Sequence, residues 1–127
     1  MRKALFLTAA IFGLGLSSAY AQSAPAKTAQ SALGTILVDS NGMTLYTYTR
    51  DMTGFSNCNG QCATNSPPLL AASDAKGSGD WSVITRDDGK KQWAYKGAAL
   101  YTSPKDTRPG DTSGENSDNG KWHVVKP

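Results

Sequence analysis

The chain is poor in the residues from which most active sites are built. It carries one histidine and two cysteines among 127 residues, which excludes a blue-copper centre, since that site sets two histidines beside its cysteine. Gly-x-Ser-x-Gly, His-Glu-x-x-His and phosphate-loop motifs are all missing. Hydrolytic and nucleotide chemistry therefore have no positive support, and the expectation is a protein that is not an enzyme and holds no cofactor. Lysine and arginine are scattered, whereas a nucleic-acid reader needs a concentrated basic face. No stretch beyond the N-terminus sustains a 3.6-residue apolar period, so helices should be few and short. Nor does a later apolar run approach the length needed to cross a membrane.

What the N-terminus does contain decides the compartment. Arg2 and Lys3, the apolar run Ala4–Leu16 and the small-x-small triplet Ala19-Tyr20-Ala21 make the three parts of a secretory signal peptide over residues 1–21, with cleavage predicted after Ala21. The apolar run is well short of the roughly 20 residues a spanning helix requires. Gln22-Ser23-Ala24 follow it, so no lipid-attachment cysteine is in place and the mature protein is expected free in the periplasm or secreted. Losing Arg2 and Lys3 lowers the net charge from +3 to about +1.

One segment of the remaining chain occurs twice. Leu45–Asp51, Leu-Tyr-Thr-Tyr-Thr-Arg-Asp, returns 55 positions later as Leu100–Asp106, Leu-Tyr-Thr-Ser-Pro-Lys-Asp, and each copy has a glycine three residues ahead of it, Gly42 and Gly97. An internal repeat is a statement about architecture before it is one about function. The second copy keeps the leucine, the first tyrosine and the aspartate, and puts Ser103 where the first copy has Tyr48. Tyr48 is thus the place to look for a function particular to the first half.

Residues 22–32 are built of Ala, Ser, Gln and Pro with no apolar period and read as a flexible leader to a single domain over 33–127. Gly34–Val38, the turn Ser40-Asn41-Gly42 and the alternating Met43–Tyr48 predict a hairpin whose second arm sets Thr44, Tyr46 and Tyr48 on one face. Trp81–Thr85, the turn Asp87-Asp88-Gly89 and Gln92–Tyr95 predict another; Lys96-Gly97 then reverses the chain into Ala98–Thr102, and Trp122–Lys126 closes it. Polar loops occupy Met52–Ser73 and Pro104–Asn119, and Ala71–Asp80 links the halves. The expected fold is all-β with about six strands, a small sandwich or partly closed barrel of two similar hairpin-based halves, about 33–73 and 81–127. Each half would be completed by its own closing segment, Ser66–Leu70 or Trp122–Lys126. Ile36, Val38, Leu45, Val83, Ile84, Leu100, Val124, Val125 and the tryptophans should form the core.

Cys58 and Cys62, four residues apart in an exported chain, favour a disulfide that shapes a short loop. The competing reading is a copper-binding or redox accessory protein using those thiols with Met43, Met52 and His123, although nothing in the spacing draws these together. His123, between Trp122 and Val124, has no partner in a nucleophile-and-base pattern and reads as structural. Asp51 and Asp106 end equivalent segments, where a carboxylate commonly takes the backbone donors of a turn. Tyr46, Tyr48, Tyr95 and Tyr101 with Trp81 and Trp93 are core or rim aromatics, and Tyr48, Tyr95 and Trp93 form the candidate face for a sugar or peptide.

Tyr46-x-Tyr48-x-x-Asp51 resembles the Tyr-x-aromatic-x-x-Asp signature of the bacterial secreted repeat lipoproteins of unknown function. Gly34–Val38, Asn41–Leu45, Cys58-x-x-x-Cys62-Ala63, Pro67-Pro68, Gln92-Trp93, Gly97 with Leu100-Tyr101, Asp106, Gly110-Asp111 and Trp122 match it in order. Two positions depart from that pattern: Ser66 replaces a usual tryptophan before Pro-Pro, and the lipid-attachment cysteine is missing. The missing cysteine supports a free periplasmic protein; the resemblance brings no established activity, so its signature residues Tyr46, Tyr48, Asp51, Leu100, Tyr101 and Asp106 carry no catalytic role with them. The functional expectation is a monomeric, non-enzymatic domain that binds an envelope protein or small ligand.

Overall fold

The computed structural model describes residues 25–127. The expected signal peptide, its predicted cleavage site and the start of the expected leader lie outside them. The chain runs β1 (Lys27–Ser31), β2 (Gly34–Val38), β3 (Tyr46–Tyr48), α1 (Gln61–Asn65), β4 (Leu70–Ala71), β5 (Trp81–Thr85), β6 (Lys91–Tyr95), β7 (Ala98–Ala99), α2 (Ser117–Gly120) and β8 (Trp122–Val124). The all-β expectation holds. Among the described residues every sheet is antiparallel and none closes into a barrel, an arrangement consistent with a sandwich of two halves. Both helices are single turns, and α2 is entered and crossed by left-handed residues, Asn116, Asp118 and Asn119, of the two types that adopt that conformation most easily after glycine.

The leader is shorter than composition suggests. Lys27–Ser31 pairs with β2 along its whole length, from Lys27↔Val38 to Ser31↔Gly34, so the domain begins at residue 27 and not at 33. Lys27, Thr28 and Gln30 are exposed. An edge strand with polar side chains on its open face has the composition of a linker, which hides it from a sequence reading.

The turns form where the Gly-containing tripeptides place them. Gly42 and Gly89 close three-residue loops at φ 84° and 86°, with the Asp39 amide donating to Met43 O and the Arg86 amide to Lys90 O, both at 2.8 Å. Asp39 Oδ1 accepts the Asn41 and Met43 amides, local bonds that fix the turn. Lys96-Gly97 makes a two-residue turn with positive φ at both positions.

The halves are related by an approximate two-fold, and its axis passes between the repeated segments. Tyr46 and Tyr101 face each other as an antiparallel pair, the Tyr46 amide donating to Tyr101 O at 2.8 Å and the Tyr101 amide to Tyr46 O at 3.0 Å. On either side of that pair the bonding repeats. Leu45 N–H donates to Leu37 O and Leu100 N–H to Trp93 O, both at 3.1 Å; Leu37 N–H donates to Val125 O and Trp93 N–H to Leu69 O, both at 2.9 Å.

The last two bonds correct an expectation. The closing segments are exchanged: β8 from the second half pairs with β3 of the first, Tyr46↔Val124 to Tyr48↔Trp122, while β4 and the Pro67–Leu69 stretch pair with β6 and the Leu100–Thr102 stretch of the second. Consequently β3 follows β2 only as far as the Val38↔Thr44 bridge before it leaves for β8. Leaving lets each repeated tyrosine strand be bonded on both edges, which buried backbone requires.

Ile36, Val38, Leu45, Leu100, Ile84, Trp122 and Val125 are buried, and so are Leu37, Tyr46, Tyr101 and Cys58. One cluster surrounds Tyr46, Tyr101, Cys58 and Trp122; another holds Leu37, Leu45, Leu100 and Val125 with Trp81, Trp93 and Tyr95 against it. Val83 and Val124 are half-buried.

Candidate functional site

Burying the two tyrosine rings on the axis forces their hydroxyls to find partners inside, and each finds one in the opposite half. The Tyr46 hydroxyl donates to Asp106 Oδ2 and the Tyr101 hydroxyl to Asp51 Oδ2, both at 2.7 Å. The other oxygen of each carboxylate accepts a loop amide, Asn57 N–H on Asp51 at 2.7 Å and Ser113 N–H on Asp106 at 2.8 Å. Each phenol also accepts a bond, Tyr46 from the Gly114 amide and Tyr101 from the Ser56 hydroxyl. The tyrosine and aspartate of one repeated segment are thus never partners of one another. Burial, reinforced by the adjacent carboxylate, pushes both phenols well above their ordinary pKa, so they remain donors at neutral pH. Burial raises Asp51 too, against the lowering effect of the Asn57 amide and the Tyr101 hydroxyl. With their oxygens occupied in this way, Asp51 and Asp106 act as fasteners between the halves.

Around Tyr101 lies a buried polar cluster that single-sequence reading misses. Arg86 is 4% exposed. Its Nη1 donates to Ser56 Oγ and to Gln92 Oε1, and its Nη2 to Cys58 O at 2.6 Å; Nε has no hydrogen-bond partner among the described residues, with Asp88 Oδ1 3.9 Å away. Gln92 passes the chain of bonds to Leu100 O. The arginine thereby ties the cysteine loop of the first half to the hairpin of the second. Arg86 precedes Asp87-Asp88-Gly89, a setting that reads as a solvated turn, and no pattern marks its side chain as inward.

Cys58 and Cys62 form a disulfide, so both thiols of the metal or redox reading are in use. The other residues of that reading are not assembled. Met43 follows the Asp39 turn, Met52 is exposed at a hairpin tip, and His123 Nδ1 is bonded to Glu115 Oε2 at 3.0 Å. Among the described residues no group of three His, Cys, Asp or Glu side chains is placed to hold a metal ion. Burial of Glu115 acts to raise its pKa, but His123 and the Val124 amide bonded to it lower it overall.

The candidate aromatic face is divided. Trp93 and Tyr95 pack with Trp81, whose ring lies 4.9 Å from Tyr95 and edge-on to Trp93 at 6.3 Å, on the Leu45–Leu100 cluster. Tyr48 instead stacks on Trp122, 4.5 Å between ring centres and 21° between planes, and Trp122 meets Tyr101 edge-on. Tyr48 and Trp122 line an open cleft of about 500 Å³ together with Ser66, Ser103, Lys105 and residues of α1 and α2. The loop expected at Pro104–Asn119 borders it and is well fastened: Asp111 Oδ2 accepts the Thr107 and Arg108 amides, bonds that lower its pKa.

Two stretches of this chain, residues 27–69 and 82–126, match the model of a family described as a secreted repeat of unknown function. The chain belongs to that family. No curated protein and no solved structure gives a significant match. In the secreted repeat, each matched stretch starts at the outer strand of a hairpin, β1 or β5, and ends in the closing segment that is given to the other half. Among the described residues no helix is long and apolar enough to cross a membrane.

Proposed function

We propose that this secreted repeat is a monomeric, non-enzymatic binding domain of the periplasm, and that its ligand site is the cleft beside Tyr48 and Trp122. The observation that carries the reading is the cleft itself. It joins an aromatic wall to several polar side chains at the junction of two halves, the setting in which small-ligand sites are commonly found. The non-enzymatic reading draws its support from the carboxylates of the repeated segments: neither Asp51 nor Asp106 lines the cleft, and each is held by a phenol and an amide. Exchange of closing segments within one chain satisfies both halves, which supports a monomer.

A fragment screen followed by amide and indole NMR shifts tests this. Fragments should perturb Tyr48, Ser103 and Trp122 first and saturably; shifts confined to other surfaces would refute the site. Turnover in a broad hydrolase panel that disappears in Asp51→Ala or Asp106→Ala, with the variant still folded, would refute the non-enzymatic reading.

A further inference from the structure

The cleft straddles the two-fold axis, and its walls are unlike. The register that equates Val125 with Leu69 also equates Trp122 with Ser66 and α2 with α1, while the repeated segments equate Tyr48 with Ser103. On one side two rings stack; at the same two positions on the other side stand two hydroxymethyl groups. The backbone thus keeps a place for a second aromatic pair, and the sequence leaves it open. A purely apolar gap of that kind would favour collapse or remain dry. This one is open to solvent and bordered by Asn65, Lys105 and Asp118.

We infer that the vacant half of the cleft binds a pyranose ring of a glycan, its apolar face against Tyr48 and its hydroxyls toward Ser66, Ser103 and Asn65. The inference rests on the cleft being the ligand site, as proposed above. An aromatic side chain from a partner would fill the space but would leave unused the polar rim of Ser66, Ser103 and the exposed Asn65. A sugar ring offers both a flat apolar face and equatorial hydroxyls. Lys105 and Asp118, the latter 3.8 Å from Lys121 Nζ, put charges of both signs at the rim. Tyr48 and Ser66 both line the cleft, where their hydroxyls can bond a ligand.

The test titrates the labelled secreted protein separately with chitotriose, cellotriose, maltotriose and the peptide Gly-Trp-Gly, reading NMR shifts at Tyr48 and Trp122. At least one trisaccharide should saturate these signals, and Tyr48→Ala should weaken it by about tenfold or more. Ser66→Trp, which rebuilds one of the missing rings, should abolish binding while holding or raising the melting temperature, so that occlusion is told apart from unfolding. Binding of Gly-Trp-Gly alone would overturn the glycan inference and leave the cleft as a ligand site. No probe perturbing the cleft would overturn both, and unchanged trisaccharide binding in Ser66→Trp would place the sugar elsewhere.

Discussion

Removing the Tyr46 hydroxyl tests whether the halves are fastened through their repeated segments. Tyr46→Phe keeps the ring, which is 1% exposed, and leaves Asp106, 8% exposed, without its donor and the Gly114 amide without its acceptor. A hydrogen bond to a charged group contributes about 1.5–3 kcal/mol, and a stranded buried group adds to the loss; about 3 kcal/mol is expected. Tyr101→Phe should cost less, about 2 kcal/mol by the same reckoning, because half-buried Asp51 can turn to water. For a domain of this size 3 kcal/mol lowers the melting temperature by roughly 12 °C or more. The decisive assay is a set of double-mutant cycles in urea. Tyr46→Phe with Asp106→Ala should show a coupling of about 1–2 kcal/mol, and Tyr46→Phe with Asp51→Ala less than about 0.5. Coupling within the repeated segment, Tyr46 to Asp51, and none across to Asp106 would refute the crossed arrangement.

Three further outcomes follow from the same geometry. Replacing Cys58 and Cys62 together by serine opens a loop so short that the chain-entropy loss is about 2 kcal/mol; a fall in melting temperature with the NMR fingerprint of the Tyr46–Tyr101 centre retained is expected, and loss of that centre would show that the crosslink does more than shape its loop. Gly114→Ala places a methyl 2.8 Å from Tyr46 Cζ and 3.0 Å from Ser103 Cβ, an overpacking of about 1–3 kcal/mol that urea midpoints would register. Glu115 has a folded-state pKa below its ordinary 4.5, so its contribution is present above that pH and is lost on acidification, whereas Asp51, raised above 3.8, contributes below that pH and loses its contribution as pH rises through the folded value. Between pH 5 and 3 the stability of Glu115→Gln should therefore fall less steeply than that of the parent, and that of Asp51→Asn more steeply; equal slopes would remove both assignments.

The local chemistry of this chain is easy to read and its partnerships are not. Ser40-Asn41-Gly42 and Asp87-Asp88-Gly89 announce turns through bonds made within a few residues, and the strands flanking them follow. The 55-residue offset announces two similar halves. It does not say which closing segment meets which repeated strand, Ser66–Leu70 or Trp122–Lys126. The choice is made by tertiary closure, which no window of sequence contains. Asp51 and Asp106 illustrate the same division. That each takes a backbone amide is a property of its own loop; that each also holds a tyrosine from the other half is a property of the axis. Tyr48 was legible as the odd member of the repeat, and Ser103 and Ser66 as its counterpart and as a departure at a tryptophan position; that all three line one cleft is known only from the fold.

The crossed fastening has a consequence for how the chain behaves as a whole. Neither repeat contains the carboxylate for its own tyrosine or the strand for its own sheet edge, so neither is a domain. The molecule is a two-fold dimer carried on a single chain, with Ala72–Asp80 as the tether. A tether of that length holds the partners at roughly millimolar effective concentration. Each half expressed alone should be unfolded when dilute, and the two halves mixed at high concentration should reassemble. Damage to one half should be felt fully in the other, so the repeat should melt in one step where independent repeats would melt in two.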